Sequence, residues 1–146
     1  MVQYFEDIEL DEPLRGGTYE LTEPEIVAFA KKWDPFPFHI DAVAAEKTIF
    51  GGLTASGLHL MCVCCRCAHD LEEQQAIIAA LGTESRIRNP GRPGDVLRFE
   101  TRAIEKRESE SRPNAGIVVY RHRLMNQDQT PVLETKVTLM IEKRNT

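Results

Sequence analysis

Residues 33–67 read W-D-P-F-P-F-H-I-D-A-V-A-A-E-K-T-I-F-G-G-L-T-A-S-G-L-H-L-M-C-V-C-C-R-C, and the fold turns on this stretch. It opens on a strap that carries Asp34 and His39 and closes on the most apolar run of the chain, Leu58 to Cys65. Pro35 and Pro37 lie between the acid and the imidazole; each lacks a backbone N–H and restricts the residue before it, so the strap is expected to run extended. From Thr54 to about Asp70 the residues are apolar nearly all round, which is the pattern of a helix enclosed by other elements. A sheet must wrap it.

An acid and an imidazole held in one stiff loop can share a proton transfer, one taking the proton while the other orients or returns it. Read alone, the strap is explained at least as well by Asp34 accepting backbone N–H bonds and His39 packing as a half-buried ring. The glycines downstream shift that balance. Gly51, Gly52 and Gly57 bracket L-T-A-S just before the apolar helix. Glycine lets backbone approach a ligand closely, and the first N–H groups of a helix have no partner within it. Such a helix start favours a carbonyl oxygen on which negative charge develops. Together these features suit proton transfer at the carbon next to a thioester carbonyl.

The run D-P-F-P-F-H-I-D followed by A-A-E-K-T-I-F-G-G-L-T-A-S-G resembles the signature of the MaoC-like acyl dehydratases, the (R)-specific enoyl-CoA hydratase group. The F-E-D-I-E-L segment, the R-P-G-D turn and E-S-R-P-N-A-G-I-V extend the likeness over nearly the whole chain. The resemblance implies a hot-dog fold, an α+β arrangement in which an antiparallel sheet of about five strands wraps a long central helix. It places Asp34 and His39 on the family's catalytic pair, Phe50 on the motif's phenylalanine and Gly57 on the glycine whose N–H holds the thioester oxygen. Ser56 is a candidate second donor. Phe36 stands where the family usually has Asn, and Ser56 where His often precedes the glycine; Phe36 cannot supply an amide's hydrogen bonds.

The reaction so implied adds water to, or removes it from, a 2-enoyl thioester carried by coenzyme A or an acyl carrier protein, as in fatty acid metabolism, and needs no metal or redox cofactor. In chains of this kind the pocket lies between subunits, so a homodimer or higher homo-oligomer is expected. Two other readings remain open: a hot-dog acyl-CoA thioesterase, and a subunit that binds an acyl thioester without converting it.

Composition bounds the rest. At 146 residues, 42% hydrophobic and 28% charged, the chain has the makeup of one soluble domain spanning residues 1–146. A net charge of −5 argues against a general nucleic-acid surface. No run is long enough for a membrane span, and no basic, apolar leader opens the sequence. Cys62, Cys64, Cys65 and Cys67 crowd one helix with no distant disulfide partner, so a cytoplasmic protein is expected. Their two overlapping C-x-x-C pairs face different directions on that helix and do not close a metal site, so packing is the simpler role. Along this helix the resemblance places Cys65 at a small polar position that can line the acyl pocket.

In chain order, Gly16 and Gly17 read as a turn and Thr18 to Leu21 as a brief strand. T-E-P-E at Thr22 reads as a capping box opening a helix whose apolar face is Ile26, Val27, Phe29, Ala30 and Trp33. Asp41 reads as the N-cap of a short helix. Ile49 and Phe50 either close over the pocket or join the core. Glu72 to Leu81 reads as an amphipathic helical connector. Four further strands are expected at Glu84–Arg88, Val96–Lys106, Gly116–Asn126 and Val132–Lys143. Arg86, Arg88 and Arg92 form a basic run that either meets coenzyme A phosphates or is a solvated strand edge. His59, His69 and His122 read as packed or surface residues.

Overall fold

The structure is a computed structural model and describes residues 1–145. β1 (Val2–Gln3) leads through a short 3-10 turn (Phe5–Asp7) to β2 (Leu14–Glu20). Four helices follow: α1 (Glu23–Trp33), α2 (Pro37–Ile40), α3 (Ala42–Glu46) and α4 (Gly57–Ala68). The chain closes with β3 (Gln74–Gln75), β4 (Ile77–Ile87), β5 (Val96–Glu108), β6 (Ala115–Met125) and β7 (Pro131–Glu142).

In the second half, alternation decides the structure. Leu97, Phe99, Thr101 and Ala103 of β5 are buried, while the residues between them turn to the other face, as the two-residue strand period requires. The result is a five-stranded antiparallel sheet in the order β2-β5-β6-β7-β4, and α4 lies against β2, β5 and β6. Leu60, Val63, Cys64 and Cys67 of α4 pack with Leu97, Phe99, Leu124, Val132 and Leu133. Each large apolar side chain so buried stabilises the fold by about 1.5–3 kcal/mol. A second cluster sets Phe5 and Ile8 against Val118, Tyr120, Leu139 and Ile141, closing the end of the sheet that α4 does not cover.

Several local expectations are corrected. Gly16 and Gly17 lie inside β2, at a register shift opposite β5, and not in a turn. A Cβ on Gly16 would stand 2.5 Å from the Cys67 carbonyl oxygen, and one on Gly17 2.3 Å from Asp70 Oδ2. These glycines let the strand pass directly beneath the end of α4. Residues 74–81, apart from Ala76 between β3 and β4, are strand rather than helix. Register shifts at Ile77/Ala79 and Ala80/Gly82 interrupt the alternation of β4, which hid its strand period, and pairing with β7 outweighs the helical propensity of Ala and Leu. α4 begins at Gly57, three residues later than Thr54, and is only partly enclosed: Leu58, Cys62 and Cys65 are exposed while Cys64 and Cys67 are buried. Trp33 leaves the face of α1 and is 62% exposed, with the Lys32 ammonium 5.0 Å from its ring centroid.

Candidate active site

The strap between α1 and α2 is only half extended. Asp34 caps the C-terminus of α1, its N–H donating to the Ala30 carbonyl, and Pro37 then occupies a first-turn position of α2, where its missing N–H costs nothing. His39 therefore sits on a single helical turn instead of an extended segment. Asp41 ends that turn and caps α3, accepting from the N–H groups of Val43 and Ala44 as expected.

The turn and cap bring Asp34 and His39 together at the start of α4. His39 Nε2 lies 3.5 Å from Asp34 Oδ2, with the imidazole buried and the carboxylate partly open to solvent. His39 Nδ1 is 2.5 Å from the Thr54 carbonyl oxygen. A carbonyl only accepts, so Nδ1 donates to it, and Nε2 is the ring nitrogen turned toward Asp34. Ser56 Oγ donates to Asp34 Oδ2 at 2.6 Å and accepts from the Leu58 N–H at 3.3 Å, so one hydroxyl serves both as N-cap of α4 and as anchor of the acid. Thr54 N–H bonds to the Phe38 carbonyl and Ala55 N–H to the Gly91 carbonyl, which fixes this segment on both sides.

Gly57 is the first residue of α4, so its N–H has no acceptor within the helix. The side chain of Ile87 fills the place a Cβ would take, with its Cδ1 2.4 Å from that position. All four site residues expected from the sequence, Asp34, His39, Ser56 and Gly57, thus meet at one helix start. Ser56 is engaged with the carboxylate, however, and not free as a second oxyanion donor. Thr54 was missed: it acts through its main chain, and no side-chain pattern marks a carbonyl that orients an imidazole.

Around the pair, Phe38 stands edge-on to His39 with centroids 4.5 Å apart, Phe36 stacks on Phe38, and Phe50 packs on Phe38 at 5.1 Å. Phe36 builds an aromatic wall where an amide would have supplied hydrogen bonds. Ile49 is 96% exposed and joins neither core nor pocket. The basic run divides. The Arg92 guanidinium binds the carbonyls of Phe50, Gly52 and Leu53 and so holds the glycine loop, while Arg88 pairs with Glu134 at 3.0 Å. Ile87 faces α4, so its neighbours Arg86 and Arg88 lie on the opposite face of the sheet, away from the pair.

A second acid and imidazole meet between α1 and α4. Glu25 does not close the capping box, for the Thr22 side chain makes no cap bond. It accepts instead from the Tyr19 hydroxyl, pushing that phenol up to about 12, and lies 3.5 Å from His59 Nε2. His59 stacks on Phe29 and is buried; desolvation lowers its pKa, against the opposing pull of Glu25. Burial likewise raises the Cys64 and Cys65 thiols, which keeps them protonated and poor as ligands or nucleophiles.

A five-stranded antiparallel sheet carrying a central helix is the hot-dog arrangement, here of a hydratase or dehydratase family. The chain belongs to the family described as MaoC like domain, which matches residues 7–124. It is 31% identical to the MaoC-like dehydratase from Rhodospirillum rubrum, with a TM-score of 0.90 over 99% of both chains. Protein MaoC of Klebsiella aerogenes is 34% identical over 97 residues, 65% of this chain, and the match spans only 29% of that longer protein. The R-hydratase PhaJ1 from Pseudomonas aeruginosa shares the fold, with a TM-score of 0.74 at 22% identity over 97% of this chain and 86% of that one.

Proposed function

We propose that the protein hydrates 2-enoyl thioesters, or dehydrates the corresponding 3-hydroxyacyl thioesters, through Asp34 and His39. The observation that carries this reading is the 3.5 Å approach of His39 Nε2 to Asp34 Oδ2 at the first turn of α4, with each group held separately by Thr54 and Ser56. One member of the pair is unprotonated and the other carries a proton, and a water resting against both, not between them, is within reach of each. In hydration, one group takes a proton from the water as its oxygen bonds to the β-carbon, and the other supplies the proton that the α-carbon gains. A single proton transfer between the two groups then restores the starting state. The Gly57 N–H at the positive end of α4 stabilises the enolate-like oxygen that develops meanwhile.

An isolated chain leaves Ile77, Ile78, Leu81 and Ile87 of β4 exposed on the outermost strand of the sheet. An apolar, unpaired edge of this kind invites a second chain, which supports a homo-oligomer as the working form. Four free thiols support a cytoplasmic setting.

The test is a panel of enoyl-CoA thioesters followed by loss of the conjugated double bond's absorbance. Asp34→Asn and His39→Ala are each expected to lower the rate at least about a hundredfold, the scale of a general acid or base. Near-normal turnover in either variant overturns the assignment. Release of free thiol without hydration would favour a thioesterase, and tight binding without turnover on any chain length a binding subunit.

A further inference from the structure

Beneath α4, on the side away from α1, lies a cavity of about 300 Å³. The wall contributed by α4 is apolar: Met61, Cys64, Cys65 and Ala68. The sheet wall opposite is mixed, with a polar row beside Val137 and Leu139. Thr101, His122 and Thr135 lie in one register across β5, β6 and β7, and all three line the cavity together with Tyr120.

The hydrogen bonds of this polar row are incomplete. His122 Nδ1 is 2.7 Å from Thr101 Oγ1, and Ser85 donates to Thr135 Oγ1 at 2.8 Å. The Tyr120 hydroxyl, on a residue only 3% exposed, is buried without a partner among the described residues. A buried polar group left unpaired is costly, and one lining a cavity beside a polar row marks a place where something else supplies the bond. No Asp, Glu, Lys or Arg lines the cavity, so a charged group entering it would be desolvated without a counter-ion. Burial also keeps His122 neutral near pH 7, with its pKa lowered to about 4.

The cavity runs along the helix whose start the reacting pair adjoins. At a rise of about 1.5 Å per residue, Met61 and Cys65 lie roughly 6 and 12 Å beyond Gly57 along the axis. Gly57, Met61, Cys65 and Ala68 follow one another at helical spacings of four, four and three residues and so share one face of α4, the line an acyl chain follows if its thioester carbonyl rests at Gly57. At the roughly 30 Å³ that a water occupies in the liquid, the space accepts about ten non-hydrogen atoms.

We propose that this cavity takes the acyl part of the thioester and that Tyr120, His122 and Thr135 hydrogen-bond an uncharged oxygen on it, a hydroxyl or keto group beyond the reacting carbons. The preferred substrates are then oxygenated acyl thioesters of medium length rather than plain aliphatic ones. The inference rests on the thioester reading of the site, and the polar wall adds the substrate class.

Binding tests it independently of turnover. Titration calorimetry on the full-length protein compares octanoyl-CoA with its positional hydroxy and keto isomers. At least one isomer is expected to bind at least about tenfold more tightly than octanoyl-CoA, because a site built to hydrogen-bond an oxygen discriminates against the analogue without it. Tyr120→Phe and Thr135→Val change little but the hydroxyl, and each is expected to bring that ratio toward one; circular dichroism confirms that they fold. Equal affinity for octanoyl-CoA and every isomer, a preference that survives both substitutions, or no binding of any member overturns the inference. If the oxygenated preference appears but no enoyl-CoA is hydrated, the proposed reaction fails and the cavity's specificity stands.

Discussion

Replacing Ser56 by Ala removes two bonds at once. The N-cap bond to the Leu58 N–H contributes about 1 kcal/mol at a typical helix start. The 2.6 Å bond to Asp34 Oδ2 has a carboxylate acceptor whose side chain is only 23% exposed, and such bonds contribute about 1.5–3 kcal/mol. Together the loss is about 2.5–4 kcal/mol, since Ser56 is fully buried and water does not replace it easily. With a slope near 2 kcal/mol/M, the urea midpoint should fall by roughly 1–2 M. Ser56→Gly separates the two effects, because glycine is nearly as good an N-cap as serine. It should recover about 0.5–1 kcal/mol relative to alanine and no more. Urea unfolding of the three proteins at pH 7 is the assay. An alanine variant within about 0.5 kcal/mol of the parent, or a glycine variant equal to it, would refute the claim that this hydroxyl anchors the acid.

Two further outcomes rest on the same geometry. Gly16→Ala drives a Cβ against the Cys67 carbonyl at 2.5 Å and the Phe99 ring at 2.7 Å and should cost about 1–3 kcal/mol, whereas Gly82→Ala enters open space; equal melting temperatures for the two would contradict the close passage of β2 under α4. His122, lowered to about 4 by burial from an ordinary value near 6.5, contributes stability that is complete above the higher value and lost as pH falls from about 6.5 to about 4. The loss amounts to about 3 kcal/mol, so His122→Leu should flatten that part of the urea midpoint against pH, and an unchanged slope would count against a neutral, buried imidazole.

How much of this was legible in the sequence depended on which atoms carry the signal. β5, β6 and β7 were visible within two residues at each end because their side chains alternate against one apolar layer. β4 was visible only beyond its irregular pairings, where Glu84 to Ile87 regain a plain register with β7. The glycines of β2 misled because the same freedom that suits a turn also admits a helix end pressed onto a strand. At the site, the meeting of Asp34, His39 and Gly57 was suggested by residue type and glycine spacing together with the family resemblance, not by spacing alone. The partners of Ser56 were not, and Thr54 left no trace, since its part is played by a main-chain oxygen. The Tyr120–His122–Thr135 wall was hidden for a further reason: three residues from two strands become neighbours only through register.

Thr54 and Ser56 are two positions apart, yet one grips the imidazole and the other the carboxylate. Both reactive groups are consequently mounted on a single jig of three residues, tied at one end to the Phe38 carbonyl and in the middle to that of Gly91. A displacement of that segment as a body carries the grips on both groups together, so their spacing depends on three consecutive residues rather than on the fit of two distant elements.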